Sequence, residues 1–150
     1  MGLFENLKRN LRQGHLLREI KRRNPDYQPR PFHPEQAKRV ALLFPADELA
    51  DREAIIAYRD ARQLRGLKTD LFGYFTTSTP GQGYDFHYFT VANLNWYGAP
   101  KGSEVEHFLS RECDLLLAFG APGHPIMEYL AALKPAGLRV GPHTLAASNP

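Results

Sequence analysis

A chain of 150 residues with 43% hydrophobic and 23% charged side chains is long enough for one domain plus an arm and too apolar for wholesale disorder. Its single cysteine, Cys113, excludes an internal disulfide framework and fits a reducing compartment, so the cytoplasm is the expected location. The net charge of +3 is unevenly spread: residues 1–39 hold ten Lys/Arg against four acids, and residues 40–150 hold nine against twelve.

The first 23 residues predict helix. Leu3, Phe4, Leu7 and Leu11 share one helical face, whereas Leu16, Leu17 and Ile20 fall almost opposite if the helix runs straight. Gly14 is therefore the expected kink between two short amphipathic helices. Asn24-Pro25 ends the second, and Pro25, Pro29, Pro31 and Pro34 mark an extended linker. Residues 1–36 read as a basic arm and linker, and residues 37–150 as an α/β domain.

That domain opens with Arg39–Phe44, a continuous apolar run suited to a strand buried on both faces. Asp47 or Asp51 can cap the helix that follows, in which Ala54, Ala57, Tyr58, Ala61 and Leu64 form a stripe and Gly66 closes the end. Leu67–Phe75 is the second strand. Thr76–Gly83 is too short for a parallel crossover, so the third strand, Asp85–Val91, is expected to be irregular or antiparallel. Tyr84, Phe86, Tyr88 and Phe89 suit a strand packed on two sides. Ser103 and Glu106 fit a capping box for a helix that buries Val105, Phe108 and Leu109. Leu115–Phe119, a helix from about Ile126 to Leu133, and Leu138–Gly141 complete the pattern. The order predicts a three-layer α/β sandwich with a mostly parallel, roughly five-stranded sheet. The longest apolar run is far below the ~20 residues that span a bilayer, and charges interrupt the N-terminal leucines before a secretory signal develops, so no membrane insertion is expected.

Phe44-Pro45-Ala46-Asp47, Asn95-Trp96-Tyr97-Gly98 with Pro100, Cys113-Asp114-Leu115-Leu116 and Arg139-Val140-Gly141-Pro142 together resemble a short bacterial family known only as a domain of unknown function. The resemblance spans roughly residues 1–141. It implies a cytoplasmic α/β protein and transfers no catalytic residue. Family members continue past the Val-Gly-Pro with another strand and a helix, where this chain has Leu145–Asn149.

Three candidate sites follow. Lys8, Arg9, Arg12, Arg18, Lys21, Arg22 and Arg23, with Arg30 on the linker, are dense enough to contact a phosphate backbone. The same helix also suits a solvated face or a membrane surface. Asp47, Gly120, Gly123 and His124 fall at strand ends, where α/β sheets collect ligands, although the glycine spacing matches no nucleotide fingerprint and a turn and a cap explain them as well. Trp96 in its loop suits either a core plug, the commoner role, or a base-stacking platform. The six histidines show no metal-ligand spacing, His107 reads as surface, and Cys113 reads as a small buried apolar residue, so no metal, cofactor or catalytic residue is expected. The leading expectation is a non-enzymatic cytoplasmic protein whose basic arm contacts RNA or a ribonucleoprotein such as the ribosome. The alternatives are a small-ligand or nucleotide-binding protein or enzyme using the strand-end crevice, and an interaction subunit that docks a protein through its amphipathic helix.

Overall fold

A computed structural model describes residues 2–23, 38–119 and 125–141, apart from the side chains of residues 20, 21 and 23. In chain order the elements are α1 (Leu3–Arg23), β1 (Arg39–Pro45), α2 (Leu49–Leu64), β2 (Lys68–Phe75), β3 (His87–Thr90), α3 (Ser103–Ser110), β4 (Cys113–Ala118), α4 (Pro125–Leu133) and β5 (Ala136–Val140). The five strands form one sheet of order β3-β2-β1-β4-β5, and every neighbouring pair is parallel.

β1 is central because its side chains are apolar on both faces. Ala41 and Leu43 join Phe72, Phe89, Phe108, Leu116, Met127 and Leu130 in one buried cluster, beneath α3 and α4. Val40, Leu42 and Phe44 join Ile55, Leu71, Phe75 and Leu115 in another, beneath α2. Phe72 is the keystone of the first, stacked 4.5 Å from Phe108 and 5.0 Å from Phe89. At the start of the sheet, Asp114 Oδ2 accepts the Lys38 and Arg39 amides, both at 3.0 Å, which fastens the entry of β1 to β4.

Four local expectations are corrected. α1 is unbroken through Gly14, because Arg12, His15, Leu16 and Glu19 already share the face that meets the body. β3 is parallel, because Tyr84 and Phe86 belong to the crossover, not to the strand. They lie over the sheet beside Phe75 and Phe44, at 4.9 and 5.2 Å between ring centres, and replace a crossover helix. Gly73 makes the room: a Cβ there would come within 2.9 Å of the Phe86 ring and 3.1 Å of Ala46. α2 turns its Ala54, Ala57, Tyr58, Ala61 and Leu64 stripe to solvent. Its inward face is Ile55 and Ile56 with three arginines whose stems cover apolar surface while their heads find oxygen. Arg52 donates to Ala46 O, Arg59 to Asp85 O, and Arg62 to Thr69 Oγ1. Neither helix start uses the expected side chain. Glu48 precedes α2 without a side-chain cap, and Gly102, at φ +114°, takes the position before α3 that Ser103 was expected to hold.

The end of α2 follows the sequence. Gly66, at φ +75°, donates to Gln63 O and Leu67 to Arg62 O, the double bond that closes a helix through a left-handed residue.

Candidate nucleic-acid interface

The Asn-Trp-Tyr-Gly-x-Pro stretch forms a closed loop. Asn95 Oδ1 accepts the Tyr97 and Ala99 amides at 3.2 and 2.9 Å, Asn95 N donates to Ala99 O, and Leu94 bridges Pro100. Gly98, at φ +87°, lets the chain reverse, and a Cβ there would lie 2.9 Å from the Arg12 guanidinium. The loop turns Tyr97 toward α1 and Trp96 outward.

α1 docks on that loop and on α4. Arg12 Nη1 donates to Tyr97 O at 3.3 Å, His15 Nδ1 and the Tyr129 hydroxyl are 2.6 Å apart, and Leu16 packs against the core. The arm is therefore seated on the domain at its middle. Its first turns stand clear, with Leu3 86%, Phe4 57% and Leu7 48% exposed. Trp96 is 62% exposed and meets Tyr97 edge-on at 5.3 Å, so it is not a core plug.

The cations of α1 differ in how they are matched. Arg22 forms a two-pronged pair with Glu19, at 2.6 and 3.2 Å. Arg9 donates to Asn6 Oδ1, and Lys8 sits over the Phe4 ring. Among the described residues, Lys8, Arg9, Arg12 and Arg18 meet no carboxylate. The side chains of Lys21 and Arg23, and all of Arg30, lie outside the described residues.

The strand-end crevice is represented by Asp47 alone, since Gly120, Gly123 and His124 lie outside the described residues. The strand order reverses between β1 and β4, and Phe119 N donates to Leu43 O, so the switch point of the sheet lies between these two strands. Asp47, however, is occupied: its two oxygens accept the Thr76 amide at 3.0 Å and the Thr76 hydroxyl at 2.9 Å, tying the exit of β1 to that of β2.

A third cluster is absent from the sequence reading. β3 begins opposite Phe72, so Thr69–Leu71 have no strand on the side away from β1 among the described residues. A cleft of about 490 Å³ opens along that edge, lined by Arg59 of α2, Asp70 of β2, His87 of β3, Glu104, His107 and Phe108 of α3, with Arg111 and Lys134 beyond. Arg59 is paired with Asp85 at 2.7 Å and Asp60 at 3.1 Å, and Arg111 lies 3.6 Å from Asp70, whose other oxygen is buried without a hydrogen bond. Lys134 is 1% exposed. Its ammonium donates to Phe108 O at 2.6 Å and to Arg111 O, satisfying carbonyls at the end of α3. Burial pulls its pKa down to about 8, against opposing pulls from Cys113 and Asp70, and pushes the Cys113 thiol up to about 11. The signals for this cluster were Asp70 inside an apolar strand and Lys134 after an apolar helix. Their partners are far away in sequence.

The chain belongs to the family of unknown function DUF6913, whose profile matches residues 8–148 and so spans both the arm and the sheet. No curated protein and no solved structure matches it. Among the described residues, no helix is long and apolar enough to cross a membrane.

Proposed function

We propose that this is a cytoplasmic, non-enzymatic RNA-binding protein that holds single-stranded RNA, or the RNA of a ribonucleoprotein such as the ribosome, against α1 and the Asn95–Pro100 loop. The observation that carries the proposal is Trp96: an exposed indole beside the loop that Arg12 grips, next to a helix whose Lys8, Arg9, Arg12 and Arg18 lack acidic partners among the described residues. Bases stack on such a ring without regard to sequence, and the cations track the phosphates. Lys21, Arg22, Arg23 and Arg30 extend the same basic run. The buried thiol of Cys113 suits a reducing compartment.

Trp96 is the only tryptophan, so its emission reports on the interface directly. Titration with a single-stranded oligoribonucleotide should quench it. With about six phosphate contacts, log affinity should fall against log salt with a slope of roughly −4. Trp96→Ala should weaken binding by about 1–3 kcal/mol and leave that slope unchanged. A salt-independent affinity, or an unquenched indole at saturation, rejects the proposal.

The exposed Leu3, Phe4 and Leu7 favour one other reading, a protein partner seated on the apolar stripe of α1. In that case Leu7→Asp abolishes association, while Lys and Arg to Gln changes leave it intact.

A further inference from the structure

β2 has an edge that its sheet leaves partly open. Lys68 N donates to Lys38 O and Ala46 N donates to Tyr74 O, so the even-numbered residues of β2 turn their main-chain groups toward β1. The odd-numbered residues turn theirs the other way. β3 takes up that side only from Phe72 onward, which leaves both main-chain groups of Thr69 and the amide of Leu71 without a ladder partner among the described residues.

The cleft runs along these groups, and its two walls differ. On the α2 side stand Gln63, Tyr84 and Phe86, with Arg59 already matched by Asp85 and Asp60. On the α3 side stand two carboxylates. Asp70 Oδ1 lies 3.6 Å from Arg111, but its Oδ2 is buried without a hydrogen bond, and Glu104 faces the ring of His87. The Lys134 ammonium, also in the cleft wall, is given to the Phe108 and Arg111 carbonyls.

An open ladder edge is a template for another extended chain, whose main-chain hydrogen bonds supply affinity while alternate side chains supply specificity. A residue of the added strand level with Asp70 faces α3, as Asp70 and Phe72 do, and its two neighbours face the opposite wall. We infer that this edge binds an extended peptide segment of a partner protein, in which a lysine or arginine stands opposite Asp70 between two apolar residues. The cation supplies the donor that Asp70 Oδ2 lacks and balances Glu104, and the apolar neighbours lie against Tyr84 and Phe86. A cleft of about 490 Å³ falls within the span of ligand sites. The edge shares no residue with the proposed RNA surface and stands or falls separately.

The probe is a short, end-capped peptide of alternating valine and lysine, titrated calorimetrically into the full chain. It should give saturable heat at one site. Amide hydrogen exchange at Thr69 and Leu71 should slow about tenfold or more in the complex, while Asp70 and Phe72, already paired to β1, stay unchanged. The same peptide fully N-methylated along its backbone loses its main-chain donors and should bind about tenfold more weakly or worse. Glutamates in place of the lysines should abolish saturable binding. Glu104→Gln, a surface change, should weaken the lysine peptide about two- to fivefold, and Asp70→Asn should weaken it more. Three results overturn the inference: no saturable heat at about 1 mM peptide, equal affinity for the N-methylated or glutamate peptide, or protection of Thr69 and Leu71 that rises with protein concentration alone, as pairing between two copies would give.

Discussion

Two charged regions sit on this molecule, and they handle charge in opposite ways. On α1, Lys8, Arg9 and Arg18 stand without carboxylates among the described residues, beside an outward-facing tryptophan, while Arg12 is given to the Tyr97 carbonyl. In the cleft by β2, Arg59 meets Asp85 and Asp60, Arg111 faces Asp70, and Lys134 is consumed by the carbonyls at the end of α3. A cation whose partner lies within the fold stabilises the fold. One left unmatched at the surface adds little to stability and stays available to an outside anion. On the proposed function, the contrast separates the two regions by what their loss should cost: stability for the cleft, RNA affinity for the helix.

The largest expected effect breaks the contrast if it fails. Phe72 forms part of the cleft wall and is fully buried between Phe89 and Phe108. Phe72→Ala should cost about 3–5 kcal/mol in urea unfolding, through lost burial and a cavity that the stacked rings fill only partly. The fraction that remains folded should bind RNA with the parent's affinity and salt slope. A loss of affinity in folded protein would mean that the cleft and the helix form one functional unit.

A smaller effect lies in the pH dependence of the cleft. Lys134 has a folded pKa of about 8 against an ordinary value of 10.5, so above pH 8 the unfolded chain holds more protons than the folded one. Stability should therefore rise with pH from about 8. Cys113 acts in the opposite sense: its folded value of about 11 exceeds 9.0, so stability is lost as pH climbs from about 9 toward 11. The two together give a gain of about 1 kcal/mol between pH 8 and 9, near balance up to about 10.5, and a decline beyond. Lys134→Met should abolish the rise and keep the decline. Urea midpoints across that range check the sign.

The same division governs what could be read from the sequence. Fold class was legible because β1 and β4 are long apolar runs separated by helix-length segments, and only a parallel α/β sheet buries such runs on both faces. The direction of β3 was not, because Tyr84 and Phe86 alternate as strand residues do. What sets their course is the hole at Gly73, a tertiary feature. α2 misled through its alanines, which match helical spacing. Ile55 and Ile56 join the cluster beneath α2, and the arginines on the same face are half-buried while the alanines face solvent. The basic run of α1 was plain in one dimension. Its seating through Arg12, His15 and Leu16 on residues some 85 to 114 positions away was not. Trp96 faces outward because Asn95 closes the loop on itself, and neither residue type alone foretells that. The cleft was invisible for the simplest reason: Asp70, His87, Glu104 with Arg111, and Lys134 come from four separate stretches of chain.

The smallest effect gives the sharpest contrast, because it compares one cation from each region by two readouts. Asp85 is largely exposed and partners Arg59, which keeps Asp60 and the Asp85 carbonyl if the carboxylate is lost. Asp85→Asn should therefore cost only about 0.2–1 kcal/mol, the range of a solvent-screened pair, with no change in RNA affinity. Arg18→Gln should do the reverse. With no carboxylate to lose among the described residues, it should leave the urea midpoint in place while reducing the salt slope by about 0.7, the share of one phosphate contact on a single strand. Should Arg18→Gln instead shift the midpoint and spare the slope, the cations of α1 serve the fold as those of the cleft do, and the distinction between a self-matched and an outward-facing region is lost.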